Sequence, residues 1–163
     1  MELSRLDENG GEELRERVTL LSLAREAAEP LQESAAKKGV QFVFTGEDLA
    51  ITGIKRLLYE MFYNLLDNAV RYNKEGGSVT VEVKNTEGGI SASVADTGIG
   101  IPREHHERVF ERFYRVDKGR SKETGGTGLG LSIVKHAAML HNAKLNLESE
   151  PGKGTKITAV FTK

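Results

Sequence analysis

IKRLLYEMFYNLLDNAVRY, residues Ile54 to Tyr72, is the stretch whose reading decides the fold. Ile54, Leu57, Leu58, Met61, Phe62, Leu65, Leu66 and Ala69 recur at three- and four-residue intervals, which predicts one helix with a broad apolar face. Asn64 and Asn68 interrupt that apolar pattern four residues apart, so both project from one side of the helix. A buried amide without a partner costs about 1 to 3 kcal/mol, so each needs a role. Such asparagines often cap loops or bond carbonyls. Here Arg71 and Tyr72 extend the same end with a cation suited to phosphate and a ring suited to a base. A neutral amide oxygen also suits Mg²⁺, which keeps several waters and needs few side chains when phosphates complete its shell.

The flanking segments set the class. Val18 to Lys38 keeps a helical period through Leu20, Leu21, Leu23, Ala24, Ala27, Ala28 and Leu31, with a kink expected at Pro30 and a stop at Gly39. Val40 to Thr45 favours a strand, and Leu49 to Ile51 a short second one. Val79, Val81, Val83 and Ile90, Ala92, Val94 alternate on either side of Glu87, Gly88 and Gly89, which predicts a hairpin. A helix to about His141 is followed by strands Lys144 to Ser149 and Thr155 to Thr162, joined through Pro151 to Gly154. Alternation on one side only means one buried sheet face. An α/β two-layer sandwich, a sheet covered on one face by three helices, follows.

Composition excludes several classes. The chain has 163 residues, 38% hydrophobic and 29% charged, enough for one domain with a real core. Its 23 basic residues are balanced by 24 acidic ones, so there is no electrostatic case for a nucleic-acid partner. The absence of cysteine excludes disulfides and thiolate metal sites and is compatible with a reducing cytoplasm. No apolar run reaches the roughly 18 residues of a membrane span, so direct membrane contact is not expected.

Two further segments carry chemistry. In DTGIGIP, Asp96 to Pro102, the aspartate ends an alternating strand, and Gly98 and Gly100 let the backbone pack close to a flat ligand. A carboxylate repels phosphate but accepts from an amino group, so a purine amine is its natural target. In GGTGLGLSIV, Gly125 to Val134, Gly126, Gly128 and Gly130 lead into a helix from Leu131, an arrangement that turns backbone amides toward an anion. The segment matches neither a Walker A loop nor a GxGxxG fingerprint. Between them lies FERFYRVDKGRSKETGG, whose Phe110, Phe113 and Tyr114 sit among Arg112, Arg115, Lys118, Arg120 and Lys122, as expected of a lid.

Taken in order, EMFYNLLDNAVRY, DTGIGIP, FERFYR and GGTGLGLSIVK resemble the N, G1, F and G2 boxes of the catalytic and ATP-binding domain of bacterial sensor histidine kinases, in the superfamily shared with gyrase, Hsp90 and MutL. The resemblance covers roughly Val18 to Lys163. It implies a Bergerat fold with a mixed, largely antiparallel sheet, and ATP and Mg²⁺ as ligands. By position, Asn68 resembles the Mg²⁺ ligand, Asn64 a phosphate-side partner, Asp96 the adenine reader, Gly98 and Gly100 a hinge, and Gly126, Gly128 and Gly130 the phosphate loop. It also brings Arg71, Tyr72, Ile101, Lys118, Thr127, Leu129 and Leu131 to the nucleotide, and Arg112 and Arg115, with Asn64, to the transfer step.

Two departures bear on activity. Hydrolytic relatives hold a water-activating Glu four residues before the metal asparagine, where this chain has Asn64, and an amide is no general base. Arg71 replaces the usual Lys, keeping charge but changing donor geometry. None of His105, His106, His136 and His141 sits in a phosphoacceptor motif, so all four are expected to be surface or packing residues. Residues 1–15, with Leu3 and Leu6 ahead of Asn9, Gly10 and Gly11, resemble the end of a preceding dimerisation helix and its linker; residues 16–163 are the catalytic domain. The implied partners are a dimerisation and phosphoacceptor helical domain of the parent and a response regulator receiver domain. A monomeric, cytoplasmic domain of a homodimeric parent is expected, with a membrane location of that parent left open. ATP hydrolysis and a nucleotide-switched binding module remain the alternatives.

Overall fold

The computed structural model describes residues 14–111 and 130–162. Helix α1, Leu20–Ala28, passes through a 3₁₀ turn at Glu29–Leu31 into α2, Gln32–Lys38. Pro30 has no N–H to continue the α ladder, which is why the turn tightens there. Gly39, at φ 70°, ends α2, with Val40 N–H donating to the Ala35 carbonyl at 2.8 Å.

The expected helical start at Val18 is corrected. Glu16–Thr19 forms strand β1, paired antiparallel with β3, Ala50–Gly53, with Val18 opposite Ile51. Only Val18 of β1 is buried, so a backbone partner, and not an apolar pattern, makes it a strand. Helix α1 then begins at Leu20, and its first amides are capped from a distance: Asp48 Oδ1 accepts from Leu21 N–H at 3.0 Å and Ser22 N–H at 3.1 Å.

The main sheet has strand order β2-β4-β5-β7-β6, with β2 Gln41–Gly46, β4 Ser78–Thr86, β5 Gly89–Asp96, β6 Ala143–Glu150 and β7 Gly154–Phe161. Only the β2–β4 pair is parallel, so the sheet is mixed and largely antiparallel. The register stacks Val81, Val94 and Ile157 in one row and Val83, Ala92 and Ala159 in the next, all buried. Against that face lie α1 with α2, then α3, Lys55–Arg71, and α4, Gly130–Leu140. Helix α3 is central, touching both α1 and α4, and its Leu58, Met61, Phe62 and Leu66 are fully buried. The side chains of Glu82, Lys84, Lys144 and Glu148 stay solvated on the sheet's other face.

Candidate nucleotide site

The site grows from the border of the apolar face of α3, where Asn64 and Asn68 are half-buried. Asn64 Nδ2 donates to the Glu60 carbonyl at 2.8 Å, which fixes the amide so that its oxygen points away from the helix. That oxygen faces the start of α4: a Cβ on Gly130 would lie 3.3 Å from Asn64 Oδ1 and 3.7 Å from Asn68 Oδ1. Two amide oxygens therefore converge on the N-terminus of an 11-residue helix. The oxygens suit a cation and the helix start suits an anion, so one place offers what a metal–phosphate pair needs. Among the described residues no cluster of three or more His, Cys, Asp or Glu exists, so a divalent ion here would depend on few side chains.

The second half lies at the end of β5. Asp96 Oδ1 accepts from Gly98 N–H at 2.8 Å and from Thr155 N–H at 3.2 Å. No hydrogen bond among the described residues uses Oδ2. Burial raises the Asp96 pKa above its ordinary value, and the bonds from Gly98 and Thr155 partly oppose that rise. The carboxylate is thus held by one oxygen and presents the other.

Close packing joins the two halves. Ile99 N–H donates to the Tyr72 carbonyl at 3.0 Å, and a Cβ on Gly98 would fall 2.2 Å from that same oxygen. At Gly100, with φ 77°, a Cβ would lie 2.0 Å from the Glu150 carbonyl. Both glycines are thus close-approach positions seating the Asp96 turn on the end of α3 and on the β6–β7 turn. Ile101 N–H donates to Ser149 Oγ at 2.7 Å, and the Ile101 carbonyl meets His106 Nε2 at 2.7 Å.

Sequence reasoning missed a set of polar locks. Buried Asn73 donates from Nδ2 to the Ser78 carbonyl at 3.0 Å, while its Oδ1 accepts from Thr97 Oγ1 at 3.0 Å and Lys74 N–H at 2.8 Å. Thr97 Oγ1 in turn accepts from Ser78 N–H at 2.9 Å. A further lock joins α3 to α4: Ile54 N–H donates to His141 Nε2 at 3.0 Å, and His141 Nδ1 donates to the Ala137 carbonyl at 2.8 Å. That pattern requires a neutral ring with its proton on Nδ1. Burial lowers the His141 pKa, the Ala137 bond opposes this, and nearby Arg15 adds to it. His141 is a packing residue, and His136 is exposed.

Arg71 is held by Asp67, Nε to Oδ2 at 3.0 Å, so its charge is shared within the helix before any phosphate is considered. Tyr72, Ile101 and Leu131 are half-buried. Arg112, Arg115, Lys118, Gly126, Thr127, Gly128 and Leu129 lie outside the described residues.

This architecture defines a class. The chain belongs to the family of histidine kinase-, DNA gyrase B- and HSP90-like ATPases, whose model matches residues 53–163, and it has the Bergerat sandwich of histidine kinase catalytic domains. Within that family it is similar to sensor histidine kinases. It is 48% identical over 108 residues to the sensor-like histidine kinase SenX3 of Mycolicibacterium smegmatis, covering 66% of this chain and 28% of that protein. The mycobacterial sensor histidine kinase MprB superposes with a TM-score of 0.80 at 27% identity, over 91% of this chain and 97% of that one. Full-length ShkA in complex with AMPPNP superposes with a TM-score of 0.76 at 28% identity, over 93% of this chain and 32% of that one. The chain spans under a third of the length of the curated relatives it matches. No described helix is long and apolar enough to cross a membrane.

Proposed function

We propose that this chain binds Mg²⁺-ATP and delivers its γ-phosphoryl group to a histidine on a separate helical domain of a parent sensor kinase, for onward transfer to a response regulator receiver domain. The observation that carries the reading is the convergence of Asn64 Oδ1 and Asn68 Oδ1 on the start of α4, with Asp96 one short turn away across Tyr72. In this reading Asn68 ligates the metal and Asn64 lies on the phosphate side. Asp96 Oδ2 accepts from the adenine amine while Oδ1 stays with Gly98 and Thr155, and Tyr72 and Ile101 flank the base. Bound Mg²⁺ supplies neutralisation of charge on the phosphate oxygens. The residues fit that ion, because it needs oxygen ligands and few of them.

Arg112 and Arg115 are assigned to docking and transfer, Lys118 to the phosphates, and Gly126, Thr127, Gly128, Leu129, Gly130 and Leu131 to the phosphate loop; this rests on the family boxes alone. Asn64 cannot abstract a proton from water, which supports slow hydrolysis over an ATPase reading. The test supplies labelled ATP and Mg²⁺ to the chain alone and with its parent's helical domain. Transfer to that domain's histidine, with little hydrolysis by the chain alone, is expected. Brisk multiple turnover by the chain alone would favour an ATP hydrolase, and binding without transfer a nucleotide-switched module.

A further inference from the structure

A lysine that no sequence motif singles out holds the end of the asparagine helix. Lys38, the last residue of α2, is half-buried, and its Nζ donates to the carbonyls of Val70 at 3.0 Å, Arg71 at 2.7 Å and Asn73 at 3.1 Å. Val70 and Arg71 close the last turn of α3, at its negative pole, and the Val70 carbonyl also accepts from Asn73 N–H at 3.2 Å. The Lys38 carbonyl also accepts from Gly76 N–H at 2.8 Å. One residue thus grips both ends of the loop from Tyr72 to Gly77.

What that loop supports is the base side of the site. The Tyr72 carbonyl accepts from Ile99 N–H, Gly98 packs against the same oxygen, and Asn73 Oδ1 accepts from Thr97 Oγ1. Thr97, Gly98 and Ile99 follow Asp96 directly, and Gly98 N–H fixes its Oδ1. Asn64 instead stands more than a turn of α3 before the gripped carbonyls and has its own bond to Glu60, while Asn68, in the same turn as those carbonyls, directs its amide oxygen toward Gly130 at the start of α4.

We infer that Lys38 is a positioning residue for base recognition, acting through the Tyr72–Asn73 turn to set the Asp96 carboxylate, a role that rests on the nucleotide reading proposed above. Lys38→Met keeps most of the side-chain volume and removes the three donors. Two measurements on the whole chain decide the matter. Hydrogen exchange should quicken at Thr97 and Ile99 but not at the paired amides of β6 and β7. Calorimetry should show the ratio of ATP to GTP affinity falling about fivefold or more, the lower end of ordinary coupling between sites, while the gain in ATP affinity on adding Mg²⁺ stays within about twofold of the parent's.

An unchanged ATP to GTP ratio would overturn the inference. So would a ratio and a Mg²⁺ gain that fall together, because that is general loosening. If the parent chain itself binds no ATP, both this role and the proposed function fail, and local exchange at Ile99 then shows that the grip is structural only. Should Lys38→Met not fold, Lys38→Arg takes its place with the same readouts, since a planar guanidinium keeps the charge but cannot converge its donors on three carbonyls.

Discussion

Replacing Asp96 by asparagine separates what the carboxylate does for the fold from what it does for the ligand. The oxygen of the introduced amide would keep the bonds from Gly98 N–H and Thr155 N–H, now made at 2.8 and 3.2 Å to Oδ1. Its NH₂ then replaces Oδ2 and turns donor toward donor against a purine amine. The loss is that of a hydrogen bond to an ionised group, about 1.5–3 kcal/mol, which is roughly a 10- to 150-fold drop in ATP affinity. GTP affinity should change little, so discrimination collapses. Stability should move the other way. Burial raises the Asp96 pKa above 3.8, so the empty folded state takes up this proton more readily than the unfolded chain does. Stability from this group is therefore full below the unfolded value and lost as pH rises through the raised folded one. At neutral pH the Asp96→Asn chain should melt no lower than the parent, and its advantage should shrink on acidification. ATP binding by the parent alone should weaken as pH falls through the folded pKa, because a protonated carboxyl accepts less well. Calorimetric titration with ATP and GTP, beside melting curves across acid pH, checks all three. A lower melting temperature together with an unchanged ATP to GTP ratio would refute the reasoning and make Asp96 a purely structural turn residue.

Asn68→Ala should weaken Mg²⁺-ATP binding about tenfold or more, the scale of losing one interaction with an ionised group, with little change in melting; titrations with and without metal test this. Gly98→Ala places a Cβ 2.2 Å from the Tyr72 carbonyl, so strain of about 1–3 kcal/mol is expected in denaturant unfolding, with ATP affinity falling as the Asp96 turn lifts. For His141, whose pKa is lowered from 6.5, the unfolded chain protonates first, so stability from this group is full above that value and is lost as pH falls below it through the lowered folded pKa. His141→Gln keeps an acceptor for Ile54 N–H and should flatten the loss seen in chemical denaturation as pH falls below 6.5.

Much of the fold was legible because its signal is repetitive. The 3.6-residue recurrence along α3 and the two-residue alternation along β4, β5 and β7 each repeat often enough to mark a buried face. Strand β1 escaped because ERVT has one apolar residue, and its partner β3 lies more than thirty positions on. The same reason hid Asp48, whose capping of α1 spans 26 and 27 positions. At the site, Asn64, Asn68 and Asp96 stood out because a polar residue in an apolar pattern is an anomaly. Lys38, Asn73, Thr97 and Ser149 did not, since each sits where a chain turns and polar residues are ordinary there. Most of their partners are backbone groups, and pairs such as Asn73 with Thr97 and Lys38 with the end of α3 are brought close only by tertiary folding, so no one-dimensional pattern carries that information.

The way these locks are distributed says which changes act on binding and which on folding. Helix α3 turns Leu58, Met61, Phe62 and Leu66 into the core with no exposure, while Asn64 and Asn68 ride the border of that face. Both asparagines are therefore carried by a rigid helix, and for Asn64, held to the Glu60 carbonyl, little side-chain freedom remains to be lost when a ligand arrives. The two ends of α3 are fixed by unlike means: at Ile54 by the neutral imidazole of His141, just past the end of α4, and at Val70 and Arg71 by an ammonium from α2. A truncation of Phe62 would be spread through the core as lost stability, about 3–5 kcal/mol, before it altered the spacing of the two amides. A change at Lys38 or Gly98 acts on a single turn instead, displacing Asp96 relative to the asparagines. On the proposed reading, base selectivity is the property most exposed to small substitutions, because it depends on a junction at which, among the described residues, the end of α3, the Asp96 turn and the β6–β7 turn meet.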